Sequence, residues 1–228
     1  MARVMLVRRR RFEAFRASSA YQAVADRAVR HPLVAVATVA AVARVAFALA
    51  SFTIHGTYFI GDEIQYLQLA DAVASGRGAE AWFPGYGQSL YHSTYSFMAP
   101  LALLFRLAPS RIVGQLLAAT FGVVLVVLAT VLLRRLVGPR RAVVAGVLLA
   151  LVPSQVLWSS VVLRESMIWA MLALVAVGVY AAVDASLRRT VLSALGVLVG
   201  LYALARLRDQ TFVVAAWALV PGLSLIHI

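Results

Sequence analysis

Six apolar runs constrain this chain more than any other feature of its sequence. The first, Leu33–Phe52, has about 20 residues, enough to cross the roughly 30 Å hydrocarbon core of a bilayer. The other runs are Ile112–Leu133, Ala142–Leu163, Met167–Val183, Val191–Ala205 and Phe212–Pro221. Hydrophobic residues make up 63% of the 228, against about 45–50% in soluble domains, so one soluble core cannot bury them. The sequence predicts an all-α, polytopic membrane bundle with about six transmembrane helices.

The positive charges indicate how such a bundle is oriented. The formal net charge is +12, and many arginines lie in short segments beside or between the apolar runs, namely Arg8–Arg11, Arg134, Arg135, Arg140, Arg141, Arg188 and Arg189. Cytoplasmic loops of membrane proteins retain such charges, so this placement favours a topology signal over nucleic-acid binding. We expect a multi-pass protein of the plasma (inner) membrane, in contact with lipid and not nucleic acid. Residues 1–31 would form a basic cytoplasmic segment.

The long segment 55–111 separates the first two runs and is expected to be an extracytoplasmic loop carrying interfacial helices. Its apolar stretch Phe97–Leu107 contains Pro100 and Arg106 and is too short to cross comfortably. If it crossed, the later arginine clusters would lie outside, against the charge rule. We therefore expect this stretch to be half-inserted or interfacial.

The last residues predict that the chain is a fragment. Residues 223–228, Leu-Ser-Leu-Ile-His-Ile, resemble the translation of a transposon-end adaptor from sequencing libraries. Residues 32–222 would then be the truncated transmembrane domain, and 223–228 a non-native tail.

Asp62 and Glu63 form the strongest local signal for chemistry. Asp62 is expected to be the N-cap of a helix whose positive end favours Glu63, with Gly76 as its C-cap. Tyr66, Leu69, Ala70 and Val73 would form the apolar face of this helix. The two carboxylates either only cap the helix or take part in a site on the outer surface.

Four arginines and Glu165 complete the set of possible site residues. Arg164 and Glu165 follow the third run and form either an interfacial turn or part of a site. Arg206 and Arg208 are expected outside, where they either snorkel or bind a lipid phosphate. Arg44 lies inside the first run, where it either snorkels or pairs with Asp62 or Glu63.

In this arrangement the chain resembles the C-type multi-spanning glycosyltransferases, specifically the protein O-mannosyltransferase and aminoarabinose-transferase group. The similarity rests on Asp62-Glu63-x-x-Tyr66-x-x-x-Ala70 after an arginine-containing first span, on Arg111-x-x-Gly114, and on Pro153 followed by Arg164-Glu165. The resemblance implies a polyprenyl-phosphate-linked sugar as donor and transfer on the outer face, usually with inversion at the sugar carbon. Members of that group are much longer, so the activity is expected of the intact parent chain.

The residue chemistry is compatible with that implication. An acceptor hydroxyl or amine needs a base, for which Asp62 is the first choice, while Glu63 would orient the acceptor or assist a divalent metal ion. Arg164, Arg206 or Arg208 would stabilise the leaving phosphate, and Glu165 would hold the acceptor or a metal. Arg44 and Tyr66 are expected to bind substrate. The alternatives are a transporter or flippase for a polyprenyl-linked sugar, and a non-catalytic envelope assembly protein.

Overall fold

The computed structural model describes residues 31–55, 60–182 and 186–226, which contain helices and no strand. In chain order the helices are α1 Pro32–His55, α2 Gly61–Ala74, α3 Ala79–Trp82, α4 Gly87–Ser93, α5 Tyr95–Phe105, α6 Arg111–Val137, α7 Pro139–Leu151, α8 Pro153–Trp158, α9 Glu165–Ala182, α10 Leu187–Ala205 and α11 Asp209–Ile226. The predicted all-α fold class is confirmed. Most of the predicted segment 1–31, and the end of the predicted tail 223–228, lie outside the described residues.

Four of the described helices are long and apolar enough to cross a bilayer. They are α1 over Pro32–Thr53, α6, α9 and α10. Large apolar side chains on their outer surfaces remain uncovered by protein; Leu198 of α10, for example, is 64% exposed. Such surfaces are stable in lipid, so the protein is a multi-pass membrane protein. The predicted run Phe212–Pro221 lies within α11, and the total of six crossings stays a prediction.

Helix α6 is the centre of the bundle, because α1, α7 and α9 all pack against it. Glycines permit these close approaches. A Cβ atom at Gly146 of α7 would collide with Thr130 of α6 and lie 3.1 Å from a methyl group of Val36 in α1. Between α9 and α10, Gly178 faces Val197 and Gly200 faces Val175 in the same way. Small residues at such interfaces allow membrane helices to gain packing contacts without a hydrophobic driving force.

The predicted third run, Ala142–Leu163, is not one continuous helix, which corrects the sequence-based expectation. Helix α7 ends at Leu151, Val152 has an extended backbone (ψ 119°), and α8 begins at Pro153. Proline has no N–H for the preceding turn and disfavours helical geometry in the residue before it, which explains the break. After α8 the chain continues without regular helix to Arg164.

Helix α5 corresponds to the stretch that was expected to be too short to cross the membrane. It has 11 residues and an internal Pro100. Its Phe97, Met98 and Leu101 are fully buried in a core shared with α2, α9 and α10. The stretch therefore packs within the protein, beside the first turn of α6.

The two ends of the bundle differ in charge. Leu33, Arg134 and Pro139 line one cleft, and the Arg135 guanidinium lies 5.6 Å from the ring centroid of Tyr180. The starts of α1, α7 and α10 and the ends of α6 and α9 therefore meet at one end, here called the arginine end. Helices α2–α5 and the connections 159–164 and 206–208 form the opposite, loop end. The two later arginine clusters lie at the same end of the bundle, while their cytoplasmic location stays a prediction and Arg8–Arg11 lie outside the described residues.

Candidate functional site

The adjacent carboxylates of Asp62 and Glu63 have different surroundings at the start of α2. Glu63 is fully buried, and its Oε1 and Oε2 accept hydrogen bonds from Arg111 Nε and Nη2 at 3.2 and 3.1 Å. The backbone N–H of Val162 also donates to Glu63 Oε1, at 3.2 Å. Glu63 thus connects α2, the first turn of α6 and the segment that precedes α9.

Gly114 makes this three-way contact possible. It lies one turn after Arg111, and a Cβ atom there would be 2.9 Å from a methyl group of Val162. A larger residue would displace Val162 and with it the amide that binds Glu63. The Arg111-x-x-Gly114 pattern noted in the sequence therefore has a physical role, but the partnership of Arg111 with Glu63 was not predicted.

Asp62 is exposed and does not cap the helix, which corrects the predicted N-cap. The N-cap is Ile60, and α2 has no side-chain cap. Asp62 instead lies in the first helical turn, where the helix dipole still favours a negative charge. At the other end, Gly76 has a left-handed φ of 77°. Its N–H and that of Arg77 bond to the carbonyls of Val73 and Ala72, so Gly76 terminates the helix, although the C-cap is Ser75 and not Gly76 as predicted.

Tyr66 lies one turn after Asp62 on the buried face of α2. It is 6% exposed and packs edge-on against Phe97, with ring centroids 6.0 Å apart. Burial raises the pKa of its hydroxyl to about 12, and the charges of Glu165 and Asp62 act in the same direction while Arg164 opposes them. Its hydroxyl is neutral at physiological pH. The predicted apolar face, with Leu69 and Ala70 buried, is confirmed.

Arg164 joins two connections at the loop end. Its Nη1 donates to the carbonyl of Leu207 at 2.8 Å. Arg164 and Arg208 both line an open cleft of about 330 Å³, whose other lining residues are Ser93, Asp209 and Gln210. The two arginines, distant in sequence, thus face one polar space. Ser93, Asp209 and Gln210 were not predicted as site residues, because no local pattern marks them as such.

Arg206 and Glu165 lie near this cleft but do not line it. The Arg206 guanidinium lies 5.3 Å from the ring centroid of Tyr95, and its carbonyl accepts a hydrogen bond from the Ser96 N–H at 3.4 Å. One carboxylate oxygen of Glu165, Oε2, is buried without a hydrogen-bond partner. Such an orphaned acceptor is costly unless a ligand or water supplies a donor.

Among the described residues Arg44 neither snorkels nor pairs with Asp62 or Glu63, so both of its predicted environments are wrong. It is fully buried, and its Nη1 donates to the carbonyls of Ala40 and Ala150 at 3.1 and 3.2 Å. Ala150 lies in the last turn of α7, where the break at Pro153 releases carbonyls from the helical ladder. Arg44 thus satisfies a carbonyl at a helix C-terminus, where a cation is also favoured by the helix dipole.

A metal centre has no ligand set in the part of the chain that the structure describes. No group of three or more His, Asp or Glu residues there is arranged to hold an ion. Both oxygens of Glu63 are already bound by Arg111. The divalent ion considered for Glu63 or Glu165 stays a prediction.

Comparisons with known proteins gave no match. The chain matches no protein-family model, and no curated protein or solved structure is significantly similar to it. The resemblance to C-type glycosyltransferases therefore rests on the order of its motifs. What the geometry adds is that Asp62, Tyr66, Arg164, Glu165, Arg206 and Arg208 all lie at the loop end, whereas Arg44 lies at the α7 break.

Proposed function

We propose that the protein is a membrane glycosyltransferase. It would move a sugar from a polyprenyl-phosphate-linked donor to a hydroxyl or amine of an acceptor on the extracytoplasmic side. The observation that carries the proposal is the difference in environment between two adjacent carboxylates. Glu63 is buried against Arg111. Asp62 is exposed, at the same end of the bundle as two arginines that line one cleft.

Asp62 is the proposed general base. Its carboxylate takes the proton of the acceptor O–H or N–H as the acceptor atom forms a bond to the anomeric carbon of the sugar. The bond from that carbon to the phosphate oxygen breaks, and its electron pair leaves with the phosphate. Attack from the side opposite the phosphate inverts the anomeric carbon, as the family resemblance implies.

Arg164 and Arg208 are the proposed binding groups for the leaving phosphate. Guanidinium groups bind phosphate oxygens with two parallel hydrogen bonds, and they stabilise the charge that develops as the bond breaks. The bond from Arg164 to the Leu207 carbonyl fixes this side chain before a donor arrives, which reduces the entropy lost on binding. Arg206, stacked on Tyr95, adds a third positive charge nearby.

Tyr66 and Glu165 are proposed to hold the sugar or the acceptor. The Tyr66 hydroxyl is protonated at physiological pH, so it can donate a hydrogen bond. The unpartnered Oε2 of Glu165 can accept one. Arg44 Nη1 bonds to backbone carbonyls, whereas its Nε and Nη2 are buried without a hydrogen-bond partner, so substrate binding by Arg44 stays a prediction.

The two alternative functions are less well supported. A transporter is expected to hold ionisable groups near the membrane midplane. In the described residues, Arg44 is the one charged side chain away from the ends of the candidate spans. The six carboxylates belong to α2, α3 and the starts of α9 and α11, at the loop end. An assembly protein would not need an exposed carboxylate at the same end of the bundle as a cleft with two arginines. Neither alternative is favoured by a specific contact.

A transfer assay tests the proposal. The protein assayed is the product of the complete reading frame in the source DNA, so the result does not depend on where the present chain ends. Membranes lacking this gene and membranes supplied with it are each given radiolabelled polyprenyl-phosphate hexoses and pentoses. We expect label to leave the lipid fraction only when the gene is present. An intact donor would contradict the proposal, and donor that crosses vesicles unchanged would indicate the transporter instead.

A further inference from the structure

The arginine end carries charge that the proposed function does not use. Arg134, Arg135, Arg140 and Arg141 are all exposed, and Arg188 and Arg189 lie in the first turn of α10. None of the carboxylates in the described residues lies at this end. A topology signal needs only positive charge, but two of these arginines also line a cleft.

The cleft lies between the start of α1, the end of α6 and the start of α7. It has a volume of about 390 Å³ and is lined by Leu33, Val131, Arg134, Arg135 and Pro139. Two guanidinium groups therefore border an apolar surface. The stacking of Arg135 on Tyr180 holds one of them in place.

We propose that this cleft binds the headgroup phosphate of an anionic phospholipid from the leaflet at the arginine end. Planar guanidinium groups match the geometry of phosphate oxygens, and basic pockets between membrane helices attract anionic headgroups. Leu33 and Val131 contact the glycerol backbone and the upper part of an acyl chain. The site is distinct from the cleft at the loop end.

A lipid fits this position better than a free anion. The neighbouring side chains Val34, Leu136 and Val144 are 65%, 57% and 60% exposed, so lipid chains surround the cleft on the bundle surface. A free phosphate would contact the arginines and leave the apolar lining uncovered. A phospholipid covers both parts of the cleft.

The test compares two double variants that remove the same charge from the same end. Wild type, R134Q/R135Q and R188Q/R189Q are purified as the full 228-residue chain, and bound lipid is counted by native mass spectrometry in mixtures of phosphatidylglycerol and phosphatidylcholine. We expect R134Q/R135Q to lose the preference for phosphatidylglycerol by on the order of tenfold, with R188Q/R189Q close to wild type. An unchanged preference in R134Q/R135Q, or an equal loss in both variants, would overturn the proposal.

Two further arms keep the test decisive. Inorganic phosphate is added to wild type, and displacement of the lipid at equal concentration would show a site for free anions instead. Should R134Q/R135Q fail to insert, R134K/R135K keeps the insertion charge but loses the guanidinium geometry. That variant should bind phosphatidylglycerol severalfold more weakly than wild type, and unchanged binding would refute the site.

Discussion

The carboxylate of Glu63 and the guanidinium of Arg111, 48 residues apart in the chain, form a forked pair with N–O distances of 3.2 and 3.1 Å. The Glu63 side chain is fully buried, and that of Arg111 is 11% exposed. The pair fixes the start of α2 against α6 and thereby holds the neighbouring Asp62 at the surface. Because the pair holds the fold together, a substitution of Glu63 would change stability as well as any activity. Asp62 is therefore the better residue for a test of catalysis.

Glu63→Gln should strongly destabilise the fold. It removes the carboxylate from a nearly buried guanidinium, and loss of one partner from a buried pair costs about 3–5 kcal/mol. The measurement is thermal unfolding of the purified protein in detergent. Asp71→Asn is the matched control, because Asp71 pairs with Arg77 at 2.6 Å but both side chains are at least half exposed. Asp71→Asn should lower the free energy of unfolding by no more than about 1 kcal/mol. Equal stability of the two variants would contradict the structural role of the Glu63–Arg111 pair.

Gly122→Ala should destabilise the bundle at the Arg44 site. An added Cβ atom would collide with Arg44 Nε and lie 2.5 Å from Ser159 Cβ, and overpacking of this kind costs about 1–3 kcal/mol. Gly196→Ala is the control, since the nearest atom to its new Cβ would be a Leu174 methyl group at 3.8 Å. The control should be neutral or gain up to about 1 kcal/mol from helix propensity. If both variants unfold at the same temperature, the result would contradict the close packing of Gly122 against Arg44 and Ser159.

Titration of Tyr66 should show a late ionisation. Its pKa is raised from 10.0 to about 12 by burial, so the phenolate is less favourable in the folded than in the unfolded protein. Below pH 10 the hydroxyl is neutral in both the folded and the unfolded state, so its ionisation does not change the free energy of unfolding. As the pH rises from 10 to about 12, the unfolded state gains phenolate first, and this linkage lowers the stability of the fold.

The measurement is the ultraviolet absorbance of phenolate in wild type minus that in Tyr66→Phe, recorded over the alkaline range. The difference should develop near pH 12, and the pH-dependent loss of stability between 10 and 12 should be smaller in Tyr66→Phe. A difference that is complete near pH 10 would show that Tyr66 is accessible to water.

Local features of the sequence were sufficient to predict much of the fold. The runs that became α1, α6, α9 and α10 were predicted from length and composition, which need no knowledge of distant contacts. The buried face of α2 followed from helical periodicity alone. The break of the third run was missed, although Pro153 marks it, because an apolar count ignores backbone hydrogen bonding.

The partners of the buried charges were not predictable from local patterns. Arg44 binds the Ala150 carbonyl 106 residues away, and Glu63 binds Arg111 and the Val162 amide, which lies 99 residues away. A backbone carbonyl or amide is present at every position, so no residue type marks it as a partner. The grouping of Arg164 with Arg208 depends likewise on how the start of α9 lies beside the end of α10.

The most direct test of the central claim is the transfer rate of Asp62→Asn compared with Asp71→Asn. Both residues lie on α2, and both changes replace one carboxylate by an amide. Loss of a general base lowers the rate by about 10²–10⁴-fold, so Asp62→Asn should lose kcat by that factor while its melting temperature stays at the wild-type value. Asp71→Asn should keep wild-type kcat. Full activity in Asp62→Asn would contradict the assignment of this carboxylate as the catalytic base.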